Sequence, residues 1–268
     1  MGYAPARMRA PSRLPSISPI SFTLLVAFAA VFLVSLGQVA PSPERLAAGA
    51  PQMVELIGRM LPPNLEPTFL QRMGWRILET LQIALVGTVI GVVISLSIGW
   101  LAARGISPLG AFRQLPRGII SLFRTIPDLV WALVFVSTVG LGAIAGTMTI
   151  VVDTIGFCGR FFAEAMEEAD KKPQEALRAI GASRVSILFG ATLPSIMPTL
   201  INSSLFALEK GVRSSVVLGL VGAGGIGQEL KVAFDLFQYR NASAIILAIF
   251  AIVLVMEYFT DRLRARFE

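Results

Sequence analysis

Residues 175–194, EALRAIGASRVSILFGATLP, form a polar, charged insert between apolar segments long enough to cross a bilayer. Pro173, just before it, suits a first helical turn, where its missing N–H costs little. Residues 174–180 are good helix formers, and Gly181 fits the left-handed residue that follows a helix C-terminus. Ser183 can cap a second helix, whose apolar residues lead on to Pro194. The pattern is helix, glycine break, helix. Held at the cytoplasmic face of a membrane protein, such a knuckle suits docking.

The rest of the chain supports the membrane class. Of 268 residues, 54% are hydrophobic and 15% charged, against about 25% charged in ordinary soluble domains. Mean hydropathy is +0.72. Residues 14–43, 80–103, 129–152 and 241–256 carry no charge, and a membrane helix needs about 20 apolar residues. The last run is short, but Glu257 and Asp261 lie at its end, where headgroups begin. Spans are expected near 17–39, 77–102, 118–140, 142–163, 191–215 and 241–261. Arg124, Asp128, Asp153 and Arg160 interrupt the third and fourth. The chain thus reads as residues 1–74, holding a tail, a first span and an external loop, and a core of five spans, 75–268.

Charge fixes the sidedness. If 129–152 were a single span, the knuckle would face out and the two termini would lie on opposite sides. With six spans, Arg7, Arg9, Arg13, Arg104, Arg113, Arg117, Arg160, Lys171, Lys172, Arg178, Arg184, Arg262, Arg264 and Arg266 fall inside. Only Arg45, Arg59, Arg72, Arg76, Lys231 and Arg240 fall outside. Fourteen against six obeys the positive-inside rule and puts both termini and the knuckle in the cytoplasm. The net charge of +6 therefore marks topology, and nucleic-acid binding is not expected. The arginines before the first apolar run resemble a signal peptide. Its core, 20–36, is longer than the usual 7–15 residues, and Pro41 follows the only plausible cleavage point, so a retained span is expected. Residues 41–74 read as an external, amphipathic segment, and Gly87, Gly91 and Ser95 as a seam for close helix packing.

VGAGGIG, residues 221–227, places Gly222, Gly224 and Gly227 in the dinucleotide-binding pattern GxGxxG, with Gly225 between them. That pattern works inside a βαβ unit with an acidic residue about 20 positions on. Here it lies between membrane-length segments, and 241–256 has no acid. Irregular, close-packed backbone at the outer end of a translocation path is the better reading, since such backbone is tolerated at membrane depth only when buried in protein or lining a cavity. Ionisable residues within spans are costly and mark interior faces. Glu209, Lys210 and Arg213 sit in the fifth span, with Glu209 and Arg213 four apart on one face and able to pair. Arg124 and Asp128 repeat that spacing around Pro127, where a kink is expected. Both couples read as helix-locking ion pairs, as arginines that lend positive potential to an anion path, or as both, because a paired arginine keeps free donors.

No catalytic residue or metal site is expected. The chain has no histidine, one cysteine (Cys158), no Ser/His/Asp set and no GxxxxGK[ST] phosphate loop, so energy must come from a partner. The knuckle resembles the EAA loop, here about 164–194, of permease subunits in binding-protein-dependent ABC importers. Glu175, Ala176, Gly181, Leu193 and Pro194 match its pattern, while Leu177 and Ala191 replace an alanine and an isoleucine. FRTIPDLVWALVFV (123–136), VRSSVVLGLVGAGGIGQEL (212–230) and FQYRNASAIILAIF (237–250) resemble the phosphonate and phosphate branch most closely, and the methionine branch next. The resemblance implies an all-α membrane protein with the type I ABC importer permease fold, in a bacterial inner membrane. It implies import of phosphonate, phosphate or phosphite-like oxyanions, with Glu175, Ala176, Leu177, Gly181, Leu193 and Pro194 docking the ATPase. The partners implied are two ATPase subunits that carry ATP and Mg²⁺, a second permease subunit and an external solute-binding protein. No cofactor is expected on this chain. An ATP-independent channel or secondary transporter is the alternative class, but it leaves the knuckle unexplained.

Overall fold

The computed structural model describes residues 18–40 and 42–266. Arg7, Arg9, Arg13, Pro41 and the start of the first uncharged run lie outside the described residues. Among the described residues all regular structure is helical. The chain divides into two compact units, 1–56 and 57–268. In the first, α1 (Pro19–Val39) is apolar on every side, with none of its residues buried, and its 21 residues reach about 30 Å. The next helix, α2 (Pro43–Met60), is the amphipathic segment expected in 41–74. Leu46, Met53, Val54 and Ile57 line one side, with Glu44, Glu55 and Arg59 opposite.

The second unit is built on α3 (Pro67–Ala102) and α6 (Ala143–Glu168). Their seam runs along the expected small residues. A Cβ on Gly87 would lie 2.7 Å from Ile150, and one on Gly91 would lie 2.5 Å from Thr154. Ser95 is fully buried and donates to the Thr154 carbonyl at 3.3 Å. Only side chains this small let two backbones approach so closely.

The third expected span, 118–140, is not one helix. Instead, α4 (Gln114–Thr125) and α5 (Asp128–Val139) meet at 93°. Pro127 removes a ladder donor and drives Ile126 into extended backbone, φ −82° and ψ 123°. Each half has 12 residues, about 18 Å, too short to cross alone. Among the described residues five helices are long and apolar enough to span a membrane, and the bent pair makes six when counted as one.

Beyond α6 come α7 (Lys171–Ala179) and α8 (Arg184–Ile187). A π turn, Leu188–Thr192, joins α8 to α9 (Leu193–Gly219), so that Arg184–Gly219 runs as one helical stretch. The knuckle's second helix is therefore continuous with the fifth span. The widened turn sits just ahead of Pro194 and Pro198, each of which deletes a ladder bond. The chain closes with α10 (Gly225–Asp235) and α11 (Tyr239–Arg264).

Polar ties gather at two ends. At one, Glu167 pairs with Arg117 and accepts from the Arg104 backbone N–H, while Arg178 and Arg184 donate to the Gly105 and Ser107 carbonyls. At the other, Arg76 bonds Glu79 and Glu229, and Asn64 bonds Asn241. The first set comes from loops that the charge count puts inside, and the second from loops it puts outside.

Candidate functional site

The knuckle is a built turn. Asp170 caps α7 by accepting from the Lys172 N–H at 3.0 Å, and Pro173 sits in the first turn. At the other end the Gly181 N–H reaches the Arg178 carbonyl and the Ala182 N–H the Leu177 carbonyl, both at 3.0 Å. These two bonds with a left-handed residue between them are the Schellman closure, and Gly181 supplies the required φ of +80°. Ser183 then caps α8, accepting from the Ser186 N–H at 3.2 Å. Glu175, Ala176, Gly181 and Pro194 are exposed, as are Val185, Phe189 and Ile180, the last 79% so. Leu177 is half-buried and Leu193 is buried with Phe162, Met166 and Leu200. Leu193 thus anchors the knuckle to the bundle and is not part of its outer surface.

Along α9, at 100° per residue, Ser195, Thr199, Asn202, Ser203, Glu209, Lys210, Arg213 and Ser214 fall within roughly 140° of the circumference. Buried Leu193, Leu200, Ala207, Gly211 and Leu218 cluster beside that arc, within about 40° of one another. Phe206 and Val217 fall inside the same arc, so the face is mostly polar but not continuous. The expected Glu209–Arg213 pair is present at 2.6 Å, and Arg264 of α11 joins it at 3.1 Å. Glu209 is nearly covered by its two guanidiniums, whereas the Arg213 side chain is 59% exposed.

The Arg124–Asp128 pair does not form. Spacing of i,i+4 brings side chains together only on a continuous helix, and the bend at Pro127 turns Asp128 away. Its carboxylate accepts from the Leu129 N–H instead. Arg124 is exposed, with no side-chain partner among the described residues. Reading residue by residue also missed a pair. Lys210 donates to Asp153 of α6 at 2.7 Å and lies over the Phe157 ring. The available signal was angular: Lys210 follows Glu209 but points about 100° away, so it needed a different carboxylate.

The glycine-rich segment is packed tight. Gly222, Gly224 and Gly225 all have positive φ, and Ala223 and Ile226 are buried. The Ile226 N–H donates to the buried Thr80 hydroxyl at 2.8 Å, and the Gly222 carbonyl accepts from Gly142 at 2.9 Å. Gly227 leaves no room between its Cα and the Val216 carbonyl for a side chain. The backbone is irregular and close-packed, joining α3, α6 and α9, and no βαβ unit surrounds it.

A multi-pass helical bundle with a capped knuckle between two long spans defines a class. The chain belongs to the family of binding-protein-dependent transport system inner membrane components, whose pattern matches residues 91–268. It is 36% identical over 228 residues to a phosphite transport system permease protein of Stutzerimonas stutzeri, covering 83% of this chain and 80% of that protein. It is 39% identical over 213 residues, 80% of this chain, to a phosphate-import permease protein of Mycolicibacterium smegmatis, of which it spans 40%. Among solved structures, an inward-facing methionine ABC transporter chain matches with a TM-score of 0.64 at 25% identity, covering 76% of this chain and all of that one. A bacterial alginate importer matches at 0.58 with 16% identity, a likeness of fold.

Proposed function

We propose that this chain is the permease subunit of an ATP-driven importer that carries phosphonate, phosphate or phosphite-like oxyanions across the inner membrane. The observation that supports the substrate is the pair of relatives named for phosphite and phosphate, each matched over at least 80% of this chain. A methionine permease relative at 29% identity over 216 residues gives weaker support for that solute. Two ATPase subunits, holding ATP and Mg²⁺, dock on the exposed knuckle through Glu175, Ala176, Gly181 and Pro194. Closure of the ATPases moves the knuckle, and because α6 and α9 flank it, the motion passes to both as rigid bodies. A second permease subunit completes the path, and an external binding protein delivers the solute. Arg213 lends the path positive potential, and Arg124, unpaired at the bend, does the same from α4. The glycine-rich segment closes the outer end, and both termini are cytoplasmic.

The test is uptake of labelled phosphite, phosphate, a phosphonate and methionine by cells expressing the chain with its ATPase and binding-protein partners. Import of an oxyanion, lost when the ATPase subunit is inactive, is the expected result. Import of methionine alone overturns the substrate, and import without the ATPase overturns the mechanism.

A further inference from the structure

The Lys210–Asp153 pair joins the two helices that flank the knuckle, and its depth can be read from its neighbours. Thr154, next to Asp153, packs on Gly91, and Gly211, next to Lys210, packs on Thr88. Both contacts fall near the middle of the uncharged run 80–103 of α3. Asp153 is ten residues from the start of α6 and Lys210 nine from the end of α9. At 1.5 Å per residue each is about 15 Å from that end, half the thickness of a hydrocarbon core. Charges at that depth face protein or a water-filled path. This chain leaves them partly uncovered, with Lys210 38% and Asp153 18% exposed, and Lys210 belongs to the polar face of α9. The pair uses one of the three ammonium donors. The backbone of Arg124, at the bend, packs on Gly156, one turn from Asp153. The Lys210–Asp153 bond thus sits one turn from the bend between α4 and α5.

We propose that Lys210 is the mid-membrane contact for the transported oxyanion, held by Asp153 in the empty protein and handed to the anion as it passes. The inference rests on the oxyanion reading above. A compact, strongly hydrated ammonium on a flexible stem can trade one carboxylate for another oxyanion without a fixed fork geometry. Conduction needs such a contact, favourable enough to enter and weak enough to leave.

The test compares oxyanion uptake with the amount of assembled complex in the membrane. Lys210→Gln is expected to cut uptake roughly tenfold or more. The neutral couple Asp153→Asn with Lys210→Gln keeps an amide hydrogen bond between α6 and α9, and is expected to assemble normally and still fail to transport. Lys210→Arg, which keeps the charge, is expected to retain most uptake. Full uptake by the neutral couple, failure of that couple to assemble, or a dead Lys210→Arg would each overturn the proposal. The first two would show a helix lock. If the unmodified protein imports oxyanion and the neutral couple does so equally, only this inference falls. If it imports methionine alone, the substrate reading falls and takes this one with it.

Discussion

Two glycine breaks interrupt the helices on either side of α9, and they are opposites. At Gly181 a left-handed glycine closes α7, and an added Cβ would meet nothing within 4 Å. At the second break, a Cβ on Gly224 would lie 2.9 Å from the Ala143 nitrogen and one on Gly225 2.6 Å from the Thr80 hydroxyl. Both breaks use glycine for positive φ. Only the second also uses it for lack of bulk. A capped turn with empty space around it leaves open the surface proposed to dock the ATPase, whereas a turn filled by three helices is a packing joint. The same residue in the same kind of break therefore serves two physical ends.

The largest effect should follow from filling the joint. Gly227→Val drives a branched side chain into the Val216 carbonyl, a backbone atom that cannot swing aside. Overpacking of this kind costs roughly 3 kcal/mol, read as a lower unfolding temperature of the purified protein or loss of protein from the membrane. Gly181→Asp should do the reverse. Aspartate tolerates left-handed backbone better than most residues and has open space here, so membrane level and thermal stability should hold while uptake falls about tenfold. A destabilised Gly181→Asp with normal uptake per folded molecule would erase the distinction between the two breaks.

Between them, Arg213→Ala should lower uptake about threefold, with less than about 1 kcal/mol lost in a denaturation experiment, because Arg264 still holds Glu209. Loss of folded protein in that variant would make Arg213 a lock instead. The smallest effect is on activity itself. Cysteines replacing Ile180, beside the first break, and Phe237, just past the far end of the α10 helix that the second break opens, should leave uptake unchanged and label from opposite sides of sealed vesicles. The native Cys158 is fully buried and should stay silent. Labelling from one side would place both breaks at one membrane face.

The local features of this protein were legible in its sequence because their partners lie within one helical turn. Ser183 caps from next door, Gly181 closes its own helix, and Glu209 meets Arg213 along one face. The uncharged runs and the arginine count likewise follow from composition and length, which the hydrocarbon thickness turns into spans. Local rules failed where their premise failed: Arg124 and Asp128 are four apart, but Pro127 broke the helix that would have brought them together. Lys210 with Asp153, Arg264 with Glu209, and the glycines with Thr80 and Ala143 depend on contacts 55 to 146 residues apart for the bonded pairs. Sequence determined where the long apolar helices lie and where the knuckle turns. Tertiary structure alone decided which charges meet and which glycines are crowded, because those depend on the distance between helices and on their relative rotation, which no single segment encodes.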